Sequence, residues 1–198
     1  MTDKKAIPMR QKILKTSAKL FSERGYKDVT IKDIAEAVGV RVASVYYHFP
    51  AKNDITRTLY KHYANQRIKA SPDLSELMEL AETASPQEVL MKAEPNYDQD
   101  IREYLEQILV AAVRSVGVDP EAEWFIQENV FDATSAILKP LLERMVMLGK
   151  IKPLDIDAFI NVLICYRFGA ASIRKTSLEN TNAHHQVGLP LVMFLLHD

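Results

Sequence analysis

The chain has 198 residues, a formal charge of −1 and 47% hydrophobic residues, enough for a packed core in one large domain or two smaller ones. Its single cysteine, Cys165, excludes an intrachain disulfide and is typical of a reducing compartment. The N-terminal residues lack the apolar stretch of a signal peptide, and the longest apolar run, 189–196, is far shorter than the ~20 residues that cross a bilayer. We therefore expect a cytoplasmic protein with no membrane partner.

Charge is unevenly distributed along the chain. Residues 1–69 contain 15 Lys and Arg against 6 Asp and Glu, a net charge of +9, whereas residues 70–198 contain 10 against 20, a net charge of −10. A basic segment binds a polyanion by releasing counterions, and an acidic remainder is repelled by the same polyanion. The distribution indicates a nucleic-acid partner for the first third of the chain, although a solvated basic surface would give the same count.

The N-terminal segment begins with two predicted helices. Apolar residues at helical spacing place the first over about 9–24, and Gly25 ends it. The second begins at Thr30, where Asp33 three residues further on makes a near capping box.

Residues 30–49 have the pattern of a helix, a tight turn and a second helix. Small Ala35 lies where the two helices would cross, and Gly39 occupies the turn, where a left-handed backbone costs a glycine little. Helix-turn-helix units need this arrangement. The second helix, about 42–49, carries Ser, Tyr and His side chains that can reach bases and phosphates. We therefore predict that this segment binds DNA.

The rest of the chain also reads as helical, and no alternating pattern suggests a sheet. Further helices are predicted over about 52–69, 74–84, 86–93, 98–116, 120–148 with a bend at Pro140, 155–177 and 183–196. The prediction is an all-α protein of nine or ten helices, with a three-helix DNA-binding domain at 1–70 and a second helical domain at 71–198.

Catalytic and metal-binding signals are weak. His184 and His185 are adjacent, so on a helix they point about 100° apart and a solvated pair is the better interpretation. There is no Gly-rich phosphate loop, no nucleophile elbow and no Cys/His set at zinc spacing. We expect no enzyme activity, no cofactor and no metal. An interaction protein that keeps a helix-turn-helix for another purpose remains an alternative.

The segment from about Lys12 to Leu59 resembles the TetR family of bacterial transcriptional regulators. The aromatic run YYHF followed shortly by a lysine is the most specific part of the resemblance. The matching residues are Ala18, Leu20, Phe21, Gly25, Tyr26, Thr30, Ile34, Ala35, Val38, Gly39, Val40, Val45, Tyr46, Tyr47, His48, Phe49 and Lys52. Beyond residue 70 the resemblance is only in helix count and in the closing helix pair. It implies an all-helical dimer with two recognition helices about one duplex turn apart and a ligand pocket in the second domain.

The resemblance also implies which residues contact DNA. Thr30, Tyr47, His48 and Lys52 match phosphate-contacting positions, where hydroxyl, imidazole and ammonium groups suit phosphate oxygens. Lys52 could instead be an ordinary surface lysine. His48 could instead have a capping or packing role.

Five residues lie on the edge that would face the major groove: Arg41, Val42, Ala43, Ser44 and Tyr46. Position 42 is often basic in relatives and is valine here. Arg41 is then the groove-edge residue able to make a bidentate contact with guanine, although its position near the cap could direct it to a phosphate. Tyr46 could equally belong to the core.

A ligand pocket is expected between the helices at 98–116, 120–148 and 155–177. The candidate lining residues are Tyr104, Arg114, Trp124, Phe125, Phe131, Met145, Arg167 and Phe168. Aromatics and methionines at helical spacing are more often core residues than pocket residues. The two arginines could pair with an acidic ligand or with an internal carboxylate such as Glu128.

The helix at 155–177 is apolar almost all round, so we expect it to be buried on two sides. One side would pack on its own domain and the other on a second copy, with the helix at 183–196 joining in. Two-fold dimers dominate and suit palindromic operators. We thus predict a ligand-responsive transcriptional repressor that binds a palindromic operator as a homodimer and is released by an unidentified small molecule.

Overall fold

A computed structural model describes the backbone of residues 7–177 and the side chains of residues 7–166. The predicted helix at 183–196 and the side chains of Arg167 and Phe168 lie outside this described part. The elements are α1 (Met9–Arg24), α2 (Ile31–Val38), α3 (Val42–His48), α4 (Lys52–Ala70), α5 (Leu74–Thr83), α6 (Pro86–Ala93), α7 (Gln99–Val113), α8 (Pro120–Ile126), a π-helical segment (Gln127–Asp132), α9 (Ala133–Met147) and α10 (Ile156–Ser177).

The all-α prediction is confirmed, because every regular element within residues 7–177 is helical. Most helix ends lie within a few residues of their predicted positions. Among the described helices, none has a stretch sufficiently long and apolar to span a lipid bilayer.

The chain divides into two compact units. Within the described residues, the first unit comprises 7–66 together with Tyr97–Ile126, and the second comprises Arg67–Asn96 together with 127–177. The helices α7 and α8 therefore belong to the same compact unit as α1 to α3. A functional boundary near residue 70 stays a prediction.

The core of the first unit joins the helix-turn-helix to α7 and α8. Helix α7 packs along α1, and α2 packs on both α1 and α3. Phe125 of α8 is fully buried, and its ring stacks on that of Tyr60 with centroids 4.4 Å apart. At the surface the Arg57 guanidinium pairs with both carboxylate oxygens of Glu121. Both contacts are made by α4, and α8 also packs on α7.

The second unit has its own apolar core, formed by α5, α6, α9 and α10. Its fully buried side chains include Leu141, Leu142 and Met145 of α9. Lys139 of α9 pairs with Asp157 of α10 at 2.8 Å. The packing and this ion pair hold α9 and α10 together.

The prediction of one continuous helix over 120–148 is wrong. A π-helical segment, Gln127–Asp132, separates α8 from α9. Within this segment the side-chain amide of Gln127 donates a hydrogen bond to Asp132 Oδ1 at 2.7 Å. Pro140 lies inside α9. The α-helix is thus interrupted at Gln127–Asp132, well before Pro140, where a bend was predicted.

Candidate nucleic-acid interface

The first helix of the helix-turn-helix is fixed at its start by a capping box. The Asp33 backbone N–H donates to Thr30 Oγ1 at 3.1 Å, and the Thr30 backbone N–H donates to Asp33 Oδ2 at 2.7 Å. The Thr30 hydroxyl also donates to Asp33 Oδ2. These bonds from Thr30, assisted by nearby Arg24, lower the pKa of Asp33 to about 2. The predicted helix cap is confirmed. To donate a hydrogen bond to a phosphate, the Thr30 hydroxyl would have to break its hydrogen bond to Asp33 Oδ2.

The turn of the motif is made by Gly39. Its backbone is left-handed, with φ +79°, and its N–H donates to the carbonyls of Ala35 and Glu36 at 2.9 and 3.0 Å. The next amide, that of Val40, also donates to Ala35. A side chain with Cβ is strained in this conformation, so glycine here sets the angle between α2 and α3.

Helix α3 has one buried side and one exposed side. Val45 is completely buried and Phe49, the residue that ends the helix, is 1% exposed, which fixes the rotation of α3 on the unit. On the other side Tyr46 is 49% exposed and Tyr47 is 85% exposed. Tyr46 is therefore a surface residue. The alternative that it belongs to the core, which the sequence left open, is wrong. His48 is half-buried, with its ring edge against that of Tyr47.

The N-terminal end of α3 presents the other groove-edge candidates. Arg41 is exposed, has an extended backbone at the N-cap position and makes no side-chain cap hydrogen bond. Val42 is 38% exposed, Ala43 is exposed and Ser44 is half-buried. The exposed side of α3 and its N-cap residue thus bring together the predicted DNA-contacting residues Arg41, Val42, Ala43, Tyr46 and Tyr47.

Lys52 has an internal partner that the sequence did not reveal. Its ammonium donates to the backbone carbonyl of Tyr26 and lies 4.0 Å from the centroid of the Tyr26 ring. Burial lowers the pKa of Lys52 from its ordinary value. The ammonium therefore stabilises the loop after α1. To contact a phosphate as predicted, it would have to form a second hydrogen bond besides the one to Tyr26.

The side chains of two further basic residues, Lys12 and Arg10, contact other residues of the first unit. The Lys12 ammonium donates to the carbonyl of Val38, the last residue of α2, at 2.8 Å. The Arg10 guanidinium lies over the ring of Phe49, 4.7 Å from its centroid. A cation at a helix C-terminus is favoured by the dipole. The sequence could not show these contacts because each joins residues more than 20 positions apart.

The candidates for the ligand pocket fall in different units. Tyr104, Arg114, Trp124 and Phe125 belong to the first unit, whereas Phe131 and Met145 belong to the second. Phe125 and Met145 are fully buried and Phe131 packs against the second core, which fits the core interpretation of these residues. Trp124 is 63% exposed.

Arg114 and Tyr104 are placed by polar and aromatic contacts. Arg114 is exposed, and its guanidinium donates to the backbone carbonyl of Glu23 at 2.7 Å, a partner different from the acidic ligand or the internal carboxylate considered from the sequence. Tyr104 is half-buried beside the ring of His62, and burial raises the pKa of its phenol to about 12.

The described residues contain no cluster of His, Cys, Asp or Glu that could hold a metal ion.

Residues 13–59 match the family model of bacterial regulatory proteins of the tetR family. Here the chain is similar to IcaR of Staphylococcus aureus strain Newman, a negative transcriptional regulator of the biofilm operon icaADBC. The two are 47% identical over 47 residues, which is 24% of this chain and 25% of IcaR. The match thus spans about a quarter of this curated relative.

Solved structures share the fold over nearly the whole chain. The TetR family regulator PfmR from Thermus thermophilus has a TM-score of 0.65 and 22% identity, covering 93% of this chain and 96% of PfmR. A transcriptional regulator from Saccharomonospora viridis, solved in complex with choline, has a TM-score of 0.58 and 21% identity, covering 96% of each chain. These similarities establish the helical fold. The three matched proteins named here are transcriptional regulators.

Proposed function

We propose that the chain is a DNA-binding transcriptional regulator that acts as a repressor, because its residues 13–59 match the family model of bacterial regulatory proteins of the tetR family. The partner in this proposal is double-stranded operator DNA, and the compartment is the cytoplasm. The name of IcaR, a negative regulator, supports repression rather than activation, although the similarity covers about a quarter of each chain.

The observation that carries this proposal is the exposed side of α3. Arg41, Tyr46 and Tyr47 are exposed there, while Val45 and Phe49 on the opposite side are buried in the core. A helix held in this way can enter a major groove as a rigid element. The net charge of +9 over residues 1–69 supplies the attraction to phosphates.

DNA binding is tested with the full-length protein and a random-sequence duplex library. Repeated selection should enrich a sequence with two inverted half-sites whose centres lie roughly 10 base pairs, or one helical turn, apart. Tyr47→Ala should weaken binding similarly on all sequences, as loss of a phosphate contact does. Val116→Ala is the control, because Val116 is an exposed apolar residue of the same unit outside the helix-turn-helix. Enrichment of no sequence above the random pool would refute the proposal.

We propose a homodimer as the DNA-binding form, through α10 and the predicted helix at 183–196. Helix α10 buries Phe159, Ile160, Leu163 and Ile164 within its own unit. Its other side exposes Ala158, Val162 and Cys165, which are small or apolar, together with Asn161. Small side chains allow a second helix to approach closely. Sedimentation at micromolar concentration should give about twice 22.5 kDa, and a monomer would contradict the dimer.

We propose also that a small molecule releases the repressor from its operator. Support comes from the S. viridis regulator, whose structure holds choline. In the first unit the candidate contacts are Tyr104 and Trp124, and in the second unit they are Phe131 and the residues at 167 and 168. Phe125 and Met145 are fully buried, which fits a core role instead. Arg114 is a weaker candidate than the sequence indicated, because its guanidinium already donates to Glu23.

The effector proposal is tested by mass spectrometry of small molecules that co-purify with the protein, followed by titration of the compound found. Coupling between two sites is reciprocal and commonly ~1–3 kcal/mol. The compound should therefore bind about 5 to 150 times more weakly when operator DNA is present. Equal affinity with and without operator would refute ligand-gated release while leaving DNA binding intact.

A further inference from the structure

The recognition helix begins with two hydrocarbon side chains on its exposed side. Val42 is 38% exposed and Ala43 is exposed, whereas Val45, one turn further on, is completely buried. The methyl groups of Val42 are therefore not required by the core that Val45 and Phe49 enter. The first hydrogen-bonding side chain within the helix, Ser44, is half-buried.

The position of these methyl groups limits what they can contact. The N-terminal residues of a recognition helix are those that reach base edges in the major groove. Hydrocarbon side chains cannot form hydrogen bonds with the N7, O6, N6, O4 or N4 groups presented there. The major groove presents one apolar group, the C5-methyl of thymine.

From this complementarity we infer that Val42 and Ala43 read thymine methyl groups in each half-site of the operator. This inference rests on the proposed DNA-binding function and adds the base chemistry that the site selects. The half-site then contains thymine opposite the start of α3, read by apolar contact instead of by hydrogen bonds.

A protein partner fits these residues less well. Specific protein interfaces bury roughly 1,200–2,000 Å² in total, which two small side chains cannot supply. The surrounding segment, residues 1–69, carries a net charge of +9, which suits a duplex. Arg41 and Tyr47 are exposed beside Val42 and Ala43, so the surroundings of these methyl groups are polar and basic.

The test replaces thymine by uracil, which has the same hydrogen-bonding groups and lacks only the methyl. The full-length protein first selects a duplex from a random library, and each thymine of that duplex is then replaced by uracil, one at a time. At one or two positions per half-site, uracil should weaken binding about fourfold per methyl group, corresponding to ~0.8 kcal/mol. The other positions should be unaffected.

A protein variant assigns the effect to Val42. Val42→Ala should weaken binding to the thymine duplex and should remove most of the uracil effect at one position. Val116→Ala is the matched control, because Val116 is 48% exposed in the same unit and lies outside the helix-turn-helix. It should leave the uracil effect unchanged.

The outcomes separate this inference from the proposed function. If the selected duplex binds specifically and uracil changes affinity at no position, the thymine inference is wrong and DNA binding stands. If no duplex is enriched above the random pool, both fail. The uracil series uses the unaltered protein, so it decides the question even where Val42→Ala does not fold.

Discussion

The phenol of Tyr60 in α4 donates a hydrogen bond to Oδ2 of Asp119, the residue before α8, at 3.1 Å. Both residues are buried, with 5% and 3% of their surface exposed. The other carboxylate oxygen of Asp119 accepts from the backbone N–H of Glu121 at 3.1 Å. Burial, together with the Asp119 charge, raises the pKa of Tyr60 above its ordinary value. A buried polar link therefore ties α8 to the helix that follows the helix-turn-helix.

Tyr60→Phe should lower the free energy of unfolding by about 1–3 kcal/mol, because it leaves a buried carboxylate without one of its donors. Urea unfolding at neutral pH measures the change. Tyr46→Phe is the matched control, since Tyr46 is 49% exposed and its phenol can bond to water. An equal loss in both variants would show that the Tyr60 hydrogen bond contributes nothing specific.

A second prediction concerns two buried serines of α1. Ser17 is completely buried and its hydroxyl has no hydrogen-bond partner, whereas the hydroxyl of Ser22 donates to the Lys19 carbonyl at 2.8 Å. Ser17→Ala should leave stability unchanged or raise it by about 1 kcal/mol, because a buried polar group without a partner is costly. Ser22→Ala should instead lower stability by about 0.5–1.5 kcal/mol. Thermal and urea unfolding compare the two, and a large loss from Ser17→Ala would show that its hydroxyl is satisfied in solution.

Much of the helix-turn-helix could be predicted because its signals are local. The cap formed by Thr30 and Asp33 and the turn at Gly39 each depend on residues within a few positions of one another. The buried side of α3, marked by Val45 and Phe49, follows from helical spacing in the same way.

Two contacts that the sequence did not reveal join residues far apart in the chain. The partner of Lys52 is the Tyr26 carbonyl, 26 positions away, and that of Arg114 is the Glu23 carbonyl, 91 positions away. A backbone carbonyl carries no residue-specific signal, so no sequence pattern could identify these partners. The π-helical segment at Gln127–Asp132 was missed because apolar spacing does not distinguish a π-turn from an α-turn over so short a stretch.

A third prediction concerns acid stability. The pKa of Asp33 is about 2 in the folded protein, below the value of about 3.9 for an unperturbed carboxyl. Its contribution to stability is therefore fully present above about pH 5 and is lost as the pH falls toward 2. Asp33→Asn should lower stability at pH 7 and flatten the decline between pH 5 and pH 2 in urea unfolding. Glu36→Gln, an exposed change on the same helix, should leave that decline unaltered.

A fourth prediction separates the two roles of Lys52. An ammonium has three donor hydrogens, so one bond to the Tyr26 carbonyl leaves two for a phosphate. Lys52→Met should lower the free energy of unfolding by about 0.5–2 kcal/mol through loss of the carbonyl and ring contacts. It should also reduce the slope of log affinity against log salt by about 1.

Lys27→Met is the control for this variant, since Lys27 is exposed in the same unit and its replacement should leave stability unchanged. A salt slope that Lys52→Met does not alter would mean that Lys52 is a purely internal residue. Its assignment as a phosphate contact would then be wrong.

The last prediction decides what Arg41 contacts. Its side chain is exposed and makes no cap hydrogen bond at the start of α3, so its guanidinium is available to a base edge. Arg41→Ala should cost about 1–3 kcal/mol of operator affinity and relax the preference at one base pair per half-site, as loss of a bidentate guanine contact does.

Arg41→Lys keeps the charge but not the planar pair of donors. It should therefore retain the salt slope of the unaltered protein while losing the same base preference as Arg41→Ala. Competition binding on a set of operators, each altered at one base pair, measures both quantities. Should Arg41→Ala weaken every operator equally and Arg41→Lys restore full affinity, Arg41 contacts a phosphate and base selection must come from the other residues on the exposed side of α3.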